Sequence, residues 1–347
     1  MGKKILKVLV VIIALVGGFI GYQYYGNYVR ANVHIEGEEV FIFIPKDATA
    51  ETVMSLLESK NILTDASSLV KMMSLKNYQG KNIVPGKYKL TDGMSNNTLI
   101  NHLRVGNGRL DSRVQFNNVQ TIQKLAGKIT EELLLDSAEV ESYLSNPINM
   151  KKYGFDENTM LSMFIPNTYF MHVDVSMEGL MERMGKEYKL FWNEDRRSKL
   201  KRCGMTQSEV VTLASIVYWE TKLKADMPIV AGVYMNRLRD GWPLQADPTL
   251  IYVYEKMGKG TLKRVLNIHK ELDSPYNTYK FKGLPPGPIL VPPPVYVDAV
   301  LNYQKHNYYF FVAKESLNGE SYFSKTYSQH KIYAARYYRM LKEKGIR

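Results

Sequence analysis

An apolar run near the N-terminus is the strongest feature of the hydrophobic pattern. Val8 to Ile20 contains no charged residue, and the run continues through Gly21 to Tyr25. With its flanks it reaches the ~20 residues that a helix needs to cross a bilayer. Lysines precede it and tyrosines follow it, which predicts a cytoplasmic N-terminus and an aromatic belt at the membrane surface: Lys3, Lys4, Lys7, Tyr22, Tyr24, Tyr25 and Tyr28.

We therefore predict a cytoplasmic tail over residues 1–7, a single-pass transmembrane anchor over 8–27, and export of everything after about residue 28. The expected location is the inner (cytoplasmic) membrane, with the larger part of the chain outside the cytoplasm. The alternative is a cleaved signal peptide. No convincing small-x-small cleavage site follows the run, so a retained anchor is favoured.

Beyond the anchor, the polar and apolar positions predict an α+β architecture in two parts. Residues 38–110 form a small unit whose pattern changes between alternation and helical spacing. Its expected elements are a strand, two helices, a second strand and a helix around Leu99: residues 39–44, 49–61, 66–76 and 87–90 for the first four. Residues 111–347 form a larger domain, and within it 130–200 is predicted to be mostly helical, with a methionine stripe that fills the core.

Composition and charge narrow the functional classes only slightly. The net charge of +12 suits an anionic partner, but the basic residues are scattered, which is typical of a solvated surface. Because the chain is predicted to be exported, no nucleic-acid partner is expected. The single cysteine, Cys203, excludes an intramolecular disulfide, and the six histidines lack an HExxH-like spacing. We therefore expect neither a metal nor a cofactor.

The most specific chemical signal is a carboxylate on an apolar helix face. Thr206 and Glu209 have the spacing of a capping box at the start of a helix. Leu213, Ile216 and Glu220 then fall on one face of that helix. Burial there would raise the pKa of the Glu220 carboxyl and leave it partly protonated near neutral pH, as a general acid requires.

The helix by itself leaves a second interpretation open, in which Glu220 is a helix-end residue paired with Lys222 or Lys224. The segments that follow favour the catalytic interpretation. They are loops with amide, hydroxyl and tyrosine side chains at 243–249, 274–279 and 283–288, groups that bind sugars by hydrogen bonds and by stacking.

The order of these motifs resembles that of the endolytic murein transglycosylases, also called the YceG-like family. The resemblance is specific over roughly the last 150 residues and looser over the anchor and the small unit, which looks like the family's LysM-like module. Departures from the family pattern fall at Tyr218, Val291, Pro293 and Ser321, and none replaces Glu220. The matching strings are LASIVxxET at 213–221, NRL at 236–238, LQxDPT at 244–249, SPYNTY at 274–279, GLPPGPI at 283–289, YFFVA at 309–313, and FSxT at 323–326 with His330.

The resemblance implies a bacterial lyase that acts in cell-wall biogenesis. It would cleave the β-1,4 bond between N-acetylmuramic acid and N-acetylglucosamine within nascent peptidoglycan strands. The product would carry a 1,6-anhydro-muramyl end, which terminates strand elongation. Glycan strands would be the substrate, and peptidoglycan synthases are candidate partners.

The resemblance to this family implies that Glu220 is the catalytic residue, and that it serves first as general acid and then as general base. The expected substrate-binding residues are Arg237, Gln245, Asp247, Tyr276, Asn277 and Thr278. Alternatives remain open for several of them: Asp247 as a turn residue before Pro248, Gln245 and Asn277 as loop braces, and Tyr276 as a packing residue.

Two other functions compete with a lytic transglycosylase. A non-catalytic peptidoglycan-binding protein would use the small unit and would not need an intact Glu220 motif. A hydrolytic muramidase would need a second carboxylate, for which Asp247 is the candidate.

Overall fold

The computed structural model describes residues 2–37, 39–106 and 108–345. The described chain mixes helices and strands in an irregular order, as the α+β prediction requires. The helices are α1 (Gly2–Tyr24), α2 (Ala50–Ser59), α3 (Ala66–Leu75), α4 (Asn96–Val105), α5 (Ile122–Thr130), α6 (Ser137–Ser145), α7 (Pro147–Lys152), α8 (Met177–Phe191), α9 (Glu194–Cys203), α10 (Gln207–Glu220), α11 (Met227–Arg239), α12 (Asp247–Lys256), α13 (Pro294–Leu301) and α14 (Tyr327–Glu343). The strands are β1 (Val40–Ile44), β2 (Gly86–Leu90), β3 (Arg109–Phe116), β4 (Asn167–His172), β5 (Phe310–Ala313) and β6 (Ser321–Ser324).

Helix α1 covers most of the predicted anchor, from residue 8 to Tyr24. The span Lys7–Tyr24 is long and apolar enough to cross a membrane, and it is the only such span among the described helices. Its apolar side chains from Val8 to Ile20 are exposed along the helix. An exposed apolar helix of this length suits a bilayer, and the same length and composition also suit a signal sequence.

The chain divides into two compact units. The first contains Met1–Val114, Thr130–Leu135 and Tyr169–Ser176, and the second contains the rest. A four-stranded sheet in the order β1-β2-β3-β4 belongs mainly to the first unit. The β1–β2 pair is antiparallel, as is the β2–β3 pair.

In residues 38–110 the structure contains the helices and strands that the caps and the apolar spacing of the sequence predict. Thr49 forms a capping box with Thr52 at the start of α2, while Asp65 and Ser95 cap α3 and α4. The apolar faces of these helices pack with β1 and β2 into one core: Val53, Leu57, Leu69, Met72, Leu99, Ile100 and Leu103 with Ile42, Ile44, Tyr88 and Leu90. The predicted strand, helices and second strand are therefore confirmed.

The prediction that residues 130–200 are mostly helical misses strand β4. In β4, Tyr169 and Met171 are buried, whereas Phe170 between them is exposed. This alternation is the signal of a half-buried strand. It was obscured because the surrounding sequence is rich in methionine and leucine, which favour helix. The methionines themselves lie in the core, as predicted: Met150, Met160, Met163, Met177, Met181 and Met184.

The second unit is built on helices α10, α11 and α13. Their apolar side chains form one buried cluster, which includes Leu213, Ile216, Val230 and Val297. The hairpin β5–β6 is antiparallel and pairs Phe311 with Phe323. Helix α14 follows the hairpin directly. This arrangement brings the end of α10, the middle of α11 and the hairpin to one region of the second unit.

Candidate active site

Helix α10 holds Glu220 at the edge of the core. The predicted capping box of Thr206 and Glu209 is present and begins the helix. The residues from Val210 to Val217 are all buried, so the helix runs through the apolar interior. Glu220 is its last residue and lies partly buried where the helix emerges. A helix with a buried body and a half-buried end presents one carboxylate at a fixed position.

The carboxyl of Glu220 accepts a hydrogen bond from the hydroxyl of Tyr234 on α11. The two oxygens are 2.7 Å apart, and Tyr234 is otherwise buried. Burial is the main cause that raises the pKa of Glu220. The Tyr234 bond and the charge of Arg237 lower this pKa and the charge of Asp247 raises it, and the balance of the four effects brings it from the usual 4.5 to about 7. At neutral pH the carboxyl is therefore present in both protonation states, which suits a group that donates a proton and then takes one back.

Neither lysine next to Glu220 forms an ion pair with it among the described side chains. Lys222 lies over the rings of Tyr218, Trp219 and Tyr296 instead. Burial lowers the pKa of Lys222. The surroundings of Glu220 therefore differ from those of an ordinary helix-end glutamate with a lysine partner.

Arg237 braces the backbone beside the candidate site. It is 7% exposed, its Nε donates to the carbonyl of Tyr309 at 2.9 Å, and its terminal nitrogen donates to the carbonyl of Leu244. Among the described side chains it forms no ion pair, and burial lowers its pKa. The guanidinium thus joins α11 to the loop before α12 and to the residue before β5, and its charge acts on Glu220 without a direct salt bridge.

Asp247 is exposed at the first position of α12 and accepts a hydrogen bond from the hydroxyl of Tyr279. The pKa of Tyr279 is raised, mainly by burial and then by this bond to Asp247. Asp247 also raises the pKa of Glu220 through its charge. The second carboxylate considered in the sequence therefore lies within electrostatic reach of the first.

Gln245 is exposed and has an unusual backbone conformation. Its φ of 50° lies in the left-handed region, which few residues other than glycine adopt. Its N–H donates to the carbonyl of Thr278 at 3.0 Å, and the neighbouring N–H of Ala246 donates to the Thr278 hydroxyl at 3.0 Å. The loop from 274 to 279 thus holds Gln245 in a conformation that costs roughly 1–3 kcal/mol, with its side chain in solvent.

Three of the predicted substrate-binding residues lie inside that loop rather than on its surface. Asn277 is fully buried, and its amide donates to the carbonyls of Lys270 and Leu272 at 2.8 Å and 2.7 Å. Thr278 is buried against the start of α12, and Tyr276 is buried with its ring tilted on that of Tyr252. The burial of Asn277 suits the bracing alternative and that of Tyr276 suits the packing alternative. Direct sugar contact by these two residues and by Thr278 stays a prediction.

Sequence reasoning did not single out Tyr234, which contacts the candidate acid directly. A tyrosine on the apolar face of α11 is most simply a core residue, and its ring is indeed in the core. The only feature of the sequence that points to a further role is the hydroxyl of Tyr234, because a buried Tyr O–H needs a hydrogen-bond partner. Sequence alone does not say which partner the second helix brings within reach.

Among the described residues, no group of three or more histidine, cysteine, aspartate or glutamate side chains is placed to hold a metal ion. The groups that the structure gathers around Glu220 are its own carboxyl with a raised pKa, the hydroxyl of Tyr234 and the nearby carboxylate of Asp247. That set is suited to moving a proton onto or off an oxygen atom.

Comparison with known proteins identifies the family. The model of the YceG-like family matches residues 42–336, which is most of the chain. The chain belongs to the YceG-like family. It is 29% identical over 306 residues to a protein of Bacillus subtilis (strain 168) named endolytic murein transglycosylase, with 84% of this chain and 82% of the relative covered.

Two further relatives agree with this assignment. A protein of Streptococcus pneumoniae (strain ATCC BAA-255 / R6), also named endolytic murein transglycosylase, is 25% identical over 344 residues, with 90% of this chain and 61% of the relative covered. The crystal structure of a YceG-like protein from Listeria monocytogenes has a TM-score of 0.56 and 26% identity, with 85% of this chain and 98% of that chain covered. The YceG-like fold is thus shared along most of both chains.

Proposed function

We propose that this YceG-like chain is an endolytic lytic transglycosylase of peptidoglycan. It would cut the β-1,4 bond between N-acetylmuramic acid and N-acetylglucosamine within nascent strands. The observation that carries the proposal is the Glu220 carboxyl, whose pKa burial raises to about 7 and which Tyr234 orients. The proposal also rests on membership of a family whose relatives in Bacillus and Streptococcus are named endolytic murein transglycosylase.

In the proposed reaction, protonated Glu220 donates its proton to the glycosidic oxygen as the bond from that oxygen to the anomeric carbon of the muramyl residue breaks. The 6-hydroxyl oxygen of the same muramyl residue bonds to the anomeric carbon, and its proton passes to the Glu220 carboxylate. No water is consumed, and Glu220 ends in the protonation state in which it began. A pKa near 7 suits both steps, because neither the acid nor the base form is strongly disfavoured.

One carboxylate is sufficient for this reaction because the nucleophile belongs to the substrate and is already placed. We propose that Asp247 acts through its charge, by keeping the pKa of Glu220 high, rather than as a second catalytic carboxylate. The competing function is hydrolysis by a muramidase, which the closeness of Asp247 to Glu220 makes worth testing. In that reaction Asp247 would hold a water molecule or act as nucleophile.

We propose that the remaining site residues have two kinds of role. Gln245 and Asp247 are exposed and would meet the glycan directly. Arg237 is a positioning residue that holds the loop before α12. Asn277, Thr278 and Tyr276 would shape the loop on which Gln245 rests, and they would bind no sugar themselves.

We further propose that the small unit is a LysM-like module that binds glycan. A groove of about 460 Å³ lies between the start of α2 and the end of α3, with Glu51, Asn77, Tyr78 and Gln79 among its lining residues. Its lining combines polar and apolar side chains, which suits a sugar chain. We propose also that α1 is retained as a single-pass anchor with the N-terminus in the cytoplasm, which would place both units where synthases add new strands.

Mass analysis of the products tests the proposed function. Purified, uncrosslinked glycan strands would be digested with the wild-type chain and with Glu220→Gln. Wild type should release fragments with anhydro-muramyl ends, and the variant should lose at least ~10²–10⁴-fold in rate. Products heavier by one water would replace the lytic assignment with the hydrolytic one. Binding without cleavage by the wild type would leave only a glycan-binding protein.

A further inference from the structure

Aromatic side chains from distant parts of the chain meet on the surface of the second unit. Trp242, in the loop after α11, is 43% exposed, and Tyr327, at the start of α14, is 60% exposed. Both contact the ring of Phe310 in β5, at centroid distances of 6.0 Å and 5.8 Å. His330 stacks on Phe310 at 5.4 Å. We call these four side chains (Trp242, Phe310, Tyr327 and His330) the aromatic platform.

Helix α11 connects the aromatic platform to the candidate acid. Tyr234, which donates to Glu220, and Arg237 are three residues apart and therefore share a face of the helix. The Arg237 guanidinium lies over the Phe310 ring, 5.6 Å from its centre. The next residue of β5, Phe311, packs against Tyr234 at 6.0 Å. Adjacent residues of β5 therefore contact the two helix residues, so this strand links the platform to the support of the acid.

The rim of the aromatic platform is polar. Asp240 accepts hydrogen bonds from the hydroxyl of Tyr309 and from the guanidinium of Arg239, and the Tyr309 ring lies 5.0 Å from that of Trp242. An exposed apolar surface with a polar rim is typical of a binding site. A pyranose ring has the matching surface, an apolar C–H face bordered by hydroxyl groups.

We propose that the aromatic platform binds a saccharide ring of the glycan strand outside the disaccharide that is cut. This inference rests on the proposed function, and it assigns a subsite to residues that are not needed for proton transfer. Trp242 and Tyr327 would stack on the sugar, and Phe310 would hold both rings in place. A strand that is cut within its length extends beyond the scissile bond, so a further ring of the same strand is available to contact the platform and to add binding energy.

Calorimetric binding measurements test the proposal without turnover. The full chain carrying Glu220→Gln, purified in detergent, would be titrated with glycan strands freed of stem peptides. Adding Trp242→Ala should weaken binding about tenfold, since a buried aromatic anchor typically contributes that much, whereas Trp242→Phe should recover most of the affinity. Tyr327→Ala should weaken binding several-fold. Tyr338→Ala is the matched control, because Tyr338 lies on the same helix and is equally exposed at 60%.

The outcomes separate the subsite from the function on which it rests. In the otherwise wild-type chain, Trp242→Ala should raise KM about tenfold with kcat nearly unchanged, since the reacting groups are intact. If Trp242→Ala binds within twofold of its parent while its circular dichroism is unchanged, the platform is not a subsite, even where the wild type cleaves as proposed. If Trp242→Ala does not fold, the test becomes the comparison of glycan affinity between Tyr327→Ala and Tyr338→Ala. Equal affinities of these two variants would overturn the inference. Absence of cleavage by the wild type would refute the proposed function and leave the binding comparison valid.

Discussion

The raised pKa of Glu220 predicts that removing its charge stabilises the protein in a pH-dependent way. Burial raises this pKa from the usual 4.5 to about 7. Between those values the folded protein binds the proton more tightly than the unfolded chain, so stability falls as the pH rises and levels off above 7. A tenfold change in proton affinity corresponds to about 1.4 kcal/mol. The free energy of unfolding of the wild type should therefore fall by roughly 3 kcal/mol between the unfolded and the folded pKa of Glu220.

Glu220→Gln keeps the shape and the oxygen that accepts from Tyr234, but it cannot ionise. Its stability should therefore match the wild type near pH 4 and exceed it by roughly 3 kcal/mol at pH 8. For a unit of this size that difference corresponds to a rise of about 6–12 °C in Tm. Thermal unfolding of both full-length chains in detergent, followed at pH 4, 6 and 8, measures it.

The same substitution should abolish strand cleavage, so stability and activity should change in opposite directions. That combination distinguishes an acid held in an unfavourable protonation state from a structural glutamate. A Tm difference of the same size at all three pH values would refute the reasoning, because it would mean that the Glu220 carboxyl has an ordinary pKa. A less stable variant at pH 8 would do so even more directly.

Three further substitutions test the groups around the acid. Tyr234→Phe removes the hydrogen bond that lowers the pKa of Glu220, so the alkaline limb of the pH–rate profile should move to higher pH, with the opposite shift contradicting the assignment. Asp247→Asn should move that limb to lower pH and cost far less activity than Glu220→Gln, whereas an equal loss in both variants would favour hydrolysis. Asn277→Ala removes the buried amide that donates to two partly buried carbonyls, so the protein should lose about 1–3 kcal/mol of stability and the Tm should fall by several degrees. An unchanged Tm would show that the loop does not depend on this amide.

Several features of the small unit and of α10 could be predicted because their causes are local. The caps at Thr49 and Thr206 act within one turn of helix, and the apolar spacing of each helix marks its own buried face. Glu220 stood out for the same reason, as a charged residue among apolar ones. The loops at 243–249 and 274–279 were recognisable from their composition, and their motifs indicated the family.

Only the tertiary structure decided what each of those side chains contacts. Asn277 and Gln245 have similar amide side chains in similar polar loops, yet one is fully buried as a brace and the other is exposed at a left-handed backbone position. Tyr234 acquires its role from contacts with α10 and β5, and Trp242 acquires its role from the ring of Phe310, which is far from it in sequence. The physical reason is that capping and periodicity depend on neighbours along the chain, whereas burial, pKa and ring stacking depend on which segments the fold brings together.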